Sequence, residues 1–75
     1  MNIKVDEIDE KVGMNVRLER TKRRLSQERL AELAELSTTT MGTIERGEQS
    51  PSVQTLAKVA NALNIELFKL FIFED

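Results

Sequence analysis

The sequence predicts an all-α protein, a compact bundle of five short helices. Apolar residues recur every three or four positions along most of the 75 residues, and no stretch alternates for long enough to predict a strand. Only three glycines and one proline interrupt this pattern. A chain of this length has apolar area for one core, so we expect an N-terminal extension over residues 1–8 and one domain over residues 9–73.

The first two helices are predicted from apolar spacing and a capping residue. Ile8, Val12 and Val16 recur every four residues, which indicates a first helix from near residue 9 to residue 22 or 23. Ser26 is a suitable N-cap for the second helix, because a serine hydroxyl can accept a hydrogen bond from a free backbone N–H. The inner face of this second helix is predicted to hold Leu30, Leu33 and Ala34.

The third helix is predicted to begin after Ser37 and to end at Gly47. Serine is a favourable N-cap, and glycine readily adopts the left-handed conformation that ends many helices. Met41 and Ile44 are then expected to point inward. Short polar side chains would occupy the outer side of this helix.

Two more helices are predicted after a loop that contains the single proline. The fourth helix has apolar positions at helical spacing, namely Val53, Leu56, Val59, Ala60 and Leu63. Asn64 is expected to end it in a left-handed conformation. Residues 65–71 are predicted to form a short fifth helix.

The composition excludes several kinds of chemistry. The chain contains neither cysteine nor histidine, which rules out disulfides, Cys/His zinc sites, thiol catalysis and histidine acid–base catalysis. We therefore expect no enzyme activity, no cofactor, no metal and no small-molecule ligand. The longest apolar run, Leu70–Phe73, is far too short to cross a membrane, and a cytoplasmic location is expected.

The distribution of charge favours a nucleic-acid partner more than the net charge of −2 does. Residues 14–58 hold eight basic side chains against six acidic ones, whereas both ends of the chain are acidic. Most of these bases lie in one stretch, as Arg17, Arg20, Lys22, Arg23, Arg24 and Arg29. Such a local concentration suits phosphate binding, although a solvated helix face would look the same.

One stretch resembles a known family. Residues 26–47 read S-Q-E-R-L-A-E-L-A-E-L-S-T-T-T-M-G-T-I-E-R-G, which is similar to the helix-turn-helix of the phage-repressor-like, XRE-type family. The resemblance extends over about residues 13–71. It implies a lambda-repressor-like fold in which helices two and three form the helix-turn-helix and residues 9–73 bind double-stranded DNA.

The resemblance also implies a role for individual residues. Base-reading positions are matched by Thr38, Thr39 and Thr43. Positions that contact the DNA backbone are matched by Arg17, Gln27, Thr40, Arg46, Ser50 and Ser52. A structural ion pair beneath the helix-turn-helix is matched by Arg20 and Glu45. The alternatives are capping and solvation for the threonines, a first-turn filler for Gln27 and complementation of the helix dipole for Arg46.

Four residues depart from the family pattern, and one of them is Glu66, which stands where the fifth helix usually begins with serine. Arg24 and Glu35 stand where glycine is usual in the turns after helices one and two, so those turns must accommodate a side chain. Gly42 lies inside the third helix, where it costs about 1 kcal/mol relative to alanine. It could instead permit a close approach to the DNA backbone.

The end of the chain predicts a homodimer. It has more apolar side chains than one short helix can bury, and the predicted interface consists of Phe68, Phe71, Ile72 and Phe73. Operators of this family are pseudo-palindromic, so a two-fold dimer would place half-sites about 34 Å apart. Alternatively, Leu67, Leu70 and Phe71 complete the core within one chain.

These observations predict a sequence-specific transcriptional regulator, expected to be a repressor, that reads a pseudo-palindromic operator through its third helix. An antitoxin or a restriction–modification controller of the same fold would have the same features. A protein-interaction module that has lost DNA binding is the alternative from a different class, supported by the acidic net charge and by Glu35 and Glu48 near the expected DNA surface.

Overall fold

The computed structural model describes residues 4–73, and every regular element in that range is helical. Four α-helices are framed by two 3₁₀ helices. The order is a 3₁₀ turn Val5–Glu7, α1 (Ile8–Lys22), α2 (Gln27–Leu33), α3 (Thr38–Arg46), α4 (Val53–Leu63) and a C-terminal 3₁₀ helix Leu67–Phe71. None of the described helices has the length and apolar character needed to cross a bilayer. The all-α prediction is confirmed.

Serine side chains cap three of the four α-helices at their N-termini. Ser26, Ser37 and Ser52 each have extended backbone geometry, and each hydroxyl accepts a hydrogen bond from the backbone N–H three residues later, at 2.9–3.0 Å. These bonds satisfy N–H groups that have no partner within their own helix. The predicted caps at Ser26 and Ser37 are confirmed.

All four α-helices end in the same kind of left-handed turn. The left-handed residues are Arg24 (φ 56°), Glu35 (φ 59°), Gly47 (φ 70°) and Asn64 (φ 58°). In each case the next backbone N–H donates to a carbonyl five residues earlier, as from Leu25 to Arg20. The predictions for Gly47 and Asn64 are confirmed, and the two departures at Arg24 and Glu35 use the conformation that glycine would otherwise supply.

The core is aliphatic and receives side chains from every α-helix. Its buried members are Val12, Val16, Leu30, Ala31, Ala34, Met41, Ile44, Leu56, Val59, Ala60, Leu63 and Leu70. The inward orientation predicted for Met41 and Ile44 is confirmed. The prediction for Leu33 is wrong, because its side chain is 43% exposed and Ala31 completes the buried stripe of α2 in its place. Ile8, assigned to the extension, instead begins α1 and packs against the core.

The fifth helix differs from its prediction in both length and type. Residue 65 closes the turn at the end of α4, since its N–H donates to the Ala60 carbonyl, and the backbone of Glu66 is extended. The helix therefore begins only at Leu67 and has 3₁₀ geometry, in which residues three apart share a face. Leu70 is fully buried, and Leu67 and Phe73 are partly buried against the core.

One asparagine fixes this C-terminal segment, residues 67–73, against α1. The side-chain amide Nδ2 of Asn15 donates to the carbonyl oxygens of Leu70 and Ile72, each at 2.9 Å. Both hydrogens of the amide are thereby used on backbone carbonyls at the end of the short 3₁₀ helix and just after it. Nothing in the sequence pattern had indicated this role.

Candidate nucleic-acid interface

A buried ion pair joins α1 to α3. The guanidinium of Arg20 donates through Nε to Oε2 of Glu45 at 2.7 Å and through Nη2 to Oε1 at 3.0 Å. Only 2% of the Glu45 side chain and 13% of the Arg20 side chain are exposed. A bidentate pair of this kind fixes both the distance and the orientation of the two helices.

Two further hydrogen bonds extend the pair to α2. Nη1 of Arg20 donates to the Leu25 carbonyl at 2.8 Å, in the turn between α1 and α2. Nε2 of Gln27, the first residue of α2, donates to Oε1 of Glu45 at 3.0 Å. The carboxylate of Glu45 therefore receives donors from two helices. This network fixes the first residue of α2 against α3, in addition to the four-residue turn that joins the end of α2 to the start of α3.

The outer face of α3 presents short polar side chains and one arginine. Thr38, Thr39 and Arg46 are exposed, and Thr43 is half-buried. Thr39, Thr43 and Arg46 lie at positions i, i+4 and i+7, so they form one stripe along the helix. We call this stripe, together with Thr38 and Gly42, the α3 outer face.

Hydrogen bonds within α3 orient two of the threonine hydroxyls. Thr43 donates its hydroxyl to the Thr40 carbonyl at 2.8 Å. The hydroxyl of Thr40 accepts from the Ser37 hydroxyl at 2.8 Å, beside the helix cap. Thr40 is half-buried, as Thr43 is, and precedes it by three residues, so it lies at the edge of the α3 outer face.

Arg46 is paired with an acidic residue from the following loop. Its Nε lies 3.0 Å from Oε2 of Glu48, and about half of each side chain is exposed. The guanidinium lowers the pKa of the Glu48 carboxyl, chiefly because their hydrogen bond favours the ionised form. This partner was not predicted, although its position two residues after Arg46 could have suggested it.

The other residues assigned to the DNA backbone are not equally available. Arg17 on α1 and Ser50 in the loop before α4 are exposed. Ser52 is also exposed, but its hydroxyl caps α4. Gln27 is half-buried and uses a side-chain donor on Glu45. Thr40 lies at the edge of the α3 outer face, and its hydroxyl accepts a hydrogen bond from Ser37.

The predicted interface residues of the C-terminal segment fall into three groups. Phe68 and Phe71 share one face of the 3₁₀ helix and are 59% and 42% exposed. Ile72 lines an open groove of about 640 Å³ against the exposed Met14 and Leu18 of α1. Phe73 is half-buried and packs against the core, with the Lys11 ammonium 6.0 Å from its ring centroid.

The chain belongs to the helix-turn-helix family, since the family model described as Helix-turn-helix matches residues 16–70. It is 42% identical over 64 residues to the Control protein C.SmaI of Serratia marcescens, covering 85% of this chain and 76% of that protein. It is 43% identical over 56 residues to the Immunity repressor protein of Bacillus phage phi105, covering 75% of this chain but only 39% of that protein.

A solved structure supports the same relationship. The restriction-modification controller protein C.AhdI from Aeromonas hydrophila matches with a TM-score of 0.81 and 42% identity, covering 83% of this chain and 94% of that one. The predicted resemblance to the phage-repressor-like family is thereby confirmed.

Proposed function

We propose that this protein is a sequence-specific DNA-binding transcriptional regulator, in which α2 and α3 form the helix-turn-helix and α3 enters the major groove. The observation that carries the proposal is the α3 outer face in a chain of this family. The relatives are named as control, repressor and transcriptional regulator proteins. The buried Arg20–Glu45 pair would keep α3 rigid relative to the rest of the domain during docking.

The threonines are suited to short-range base recognition. A hydroxyl can donate to or accept from a base edge, and the threonine methyl can contact the methyl group of thymine. Thr38, Thr39 and Thr43 would therefore read bases over a short distance, with water bridges and DNA shape contributing the remainder. Arg17 and Ser50, both exposed, would contact the phosphate backbone.

Weaker contacts to the DNA backbone are proposed for three residues whose polar groups are already partly engaged, namely Gln27, Ser52 and Thr40. Gln27 has a second amide hydrogen and its oxygen beyond the bond to Glu45. Ser52 and Thr40 would contribute their hydroxyl groups at the edge of the surface. We expect each of these three to contribute less than Arg17.

Among regulators of this family, a restriction–modification controller is the role we favour. The match to C.AhdI covers 94% of that chain, whereas the match to the phage immunity repressor covers 39% of the repressor. A repressor of the phage type is the second candidate, supported by the 43% identity over the shared region.

We also propose that the regulator binds as a homodimer through Phe68 and Phe71. Two large aromatic side chains on one face of the C-terminal 3₁₀ helix would be covered by the same pair in a two-fold partner. Equilibrium sedimentation at micromolar concentration should give twice the subunit mass. Phe68→Gln should shift this mass toward one subunit, while the control Leu33→Gln, at an exposed leucine of α2, should not. A single-subunit mass for the unaltered protein would contradict the dimer.

The regulator itself is tested by selection from a random pool of duplex DNA at about 0.15 M salt. The protein should enrich one two-fold symmetric sequence with half-sites about one helical turn apart. The test variant Thr39→Ala/Thr43→Ala, with its fold verified by circular dichroism, should enrich that sequence poorly because it lacks two of the base-reading hydroxyls. If folded, unaltered protein enriches nothing, DNA binding is contradicted and the protein-interaction alternative is favoured.

A further inference from the structure

Arg46 lies on the same face of α3 as two of the threonines. The resemblance to the family assigns it to the DNA backbone. In the structure it continues the stripe formed by Thr39 and Thr43, which lie two turns and one turn before it. Its side chain therefore begins on the surface that would face base edges.

The guanidinium of Arg46 lies over Gly42. Gly42 precedes Arg46 by four residues and is buried although it lies on the α3 outer face. A β-carbon at position 42 would lie 2.9 Å from Nη1 of Arg46 and 3.6 Å from Cζ. The guanidinium therefore lies directly over the helix backbone at Gly42. Helical side chains lean toward the N-terminus, and a glycine lets this one lie flat against the middle of α3.

Glu48 contacts the same guanidinium from the loop. Nε of Arg46 lies 3.0 Å from Oε2 of Glu48, so this carboxylate holds the guanidinium from the side of the loop. A neighbouring carboxylate offsets the positive charge of Arg46. It therefore weakens attraction to phosphate more than it weakens hydrogen bonding to an uncharged base edge.

We propose that Arg46 reads a guanine of the operator from the middle of the α3 outer face, with Gly42 and Glu48 positioning its guanidinium. Arginine donating to O6 and N7 of guanine is the commonest specific contact in the major groove. The inference rests on the proposed function, because it assigns one base to a site that must first bind DNA. It replaces the backbone role assigned to Arg46 from the sequence.

The test compares Arg46→Gln with Arg17→Gln in the same random-duplex selection. The substitution is identical, and Arg17 is an exposed arginine of α1 assigned to the backbone. In Arg46→Gln, discrimination for guanine at one position of each half-site should fall about tenfold. Arg17→Gln should retain the selected sequence but bind all duplexes more weakly, with a salt slope flatter by about 0.9.

Gly42→Ala provides a second variant that leaves every charge in place. The added methyl group would lie 2.9 Å from Nη1, which is closer than atoms in contact approach, so the guanidinium must shift from its place over position 42. Preference for guanine should then fall at the same position as in Arg46→Gln, with helical content unchanged by circular dichroism.

The outcomes separate the two proposals. If the unaltered protein selects a sequence and Arg46→Gln selects that sequence with guanine preference intact at every position, base reading by Arg46 is overturned and the regulator stands. If the unaltered protein selects nothing, the proposed function itself fails. Guanine preference lost in Arg46→Gln but fully retained in Gly42→Ala would overturn the positioning role of Gly42.

Discussion

Replacement of Arg20 by alanine should destabilise the domain strongly. The guanidinium makes two hydrogen bonds to Glu45 and one to the Leu25 carbonyl, and its removal leaves a carboxylate whose side chain is 2% exposed. Gln27 would then be the remaining donor to that carboxylate in the described network. A charge left in this position must become hydrated, become protonated or force the helices apart.

The magnitude follows from the burial of the pair. Removal of one partner from a buried ion pair costs about 3–5 kcal/mol, and the remaining bond from Gln27 places this case near the lower value. A domain of 75 residues has a free energy of unfolding of about 4–11 kcal/mol. A loss of about 3 kcal/mol should therefore lower Tm by roughly 12–24 °C.

The assay is thermal unfolding followed by circular dichroism, with Arg23→Ala as the matched control. Arg23 also lies at the end of α1 and pairs with Glu19 at 2.9 Å, but this pair is on the surface and should contribute about 0.5 kcal/mol or less. The double variant Arg20→Met/Glu45→Met should recover most of the stability, because it removes both charges. Equal Tm values for Arg20→Ala and Arg23→Ala would refute the reasoning.

Three further predictions concern other parts of the fold. Asn15→Asp removes both donors to the C-terminal segment, so the free energy of unfolding should fall by about 2 kcal/mol and the dimer should dissociate more readily. An unchanged sedimentation mass and denaturant midpoint would show that Asn15 does not hold this segment against α1. Glu35→Gly should raise the free energy of unfolding by about 0.5–1 kcal/mol, because glycine adopts the left-handed conformation without steric cost; a lower urea midpoint would count against this. Gly42→Ala should raise the free energy of unfolding by up to about 1 kcal/mol, because alanine is the better helix former and the added methyl meets only the end of a flexible side chain. A fall in Tm would mean that Arg46 cannot move aside.

Most of the helical framework could be predicted because its determinants are local. A serine at an N-cap and a left-handed residue at the end of a helix act through the backbone within a few residues, as Ser37 and Gly47 show for α3. The C-terminal segment could not be predicted in the same way. Its 3₁₀ geometry depends on the turn that closes α4 and on Asn15, which is 55 residues from Leu70 in the sequence.

The candidate site likewise combines features that follow from local sequence with features that depend on contacts in the folded chain. The stripe of threonines on α3 follows from helical spacing, which was available from the sequence. The orientation of Arg46 depends on contacts that spacing alone does not specify, namely the open position at Gly42 and the carboxylate of Glu48. Gln27 likewise has a partner in Glu45, and this contact exists only because α2 and α3 pack together.

The most direct test of the central claim is the ratio of two affinities: that for the selected duplex and that for a scrambled duplex of equal length, both at about 0.15 M salt. A regulator that reads bases through α3 should bind the selected duplex at least about 10³ times more tightly. Thr39→Ala/Thr43→Ala should reduce this ratio while leaving affinity for the scrambled duplex nearly unchanged. A ratio near one for the unaltered protein, or a ratio unaffected by the two substitutions, would contradict recognition through α3.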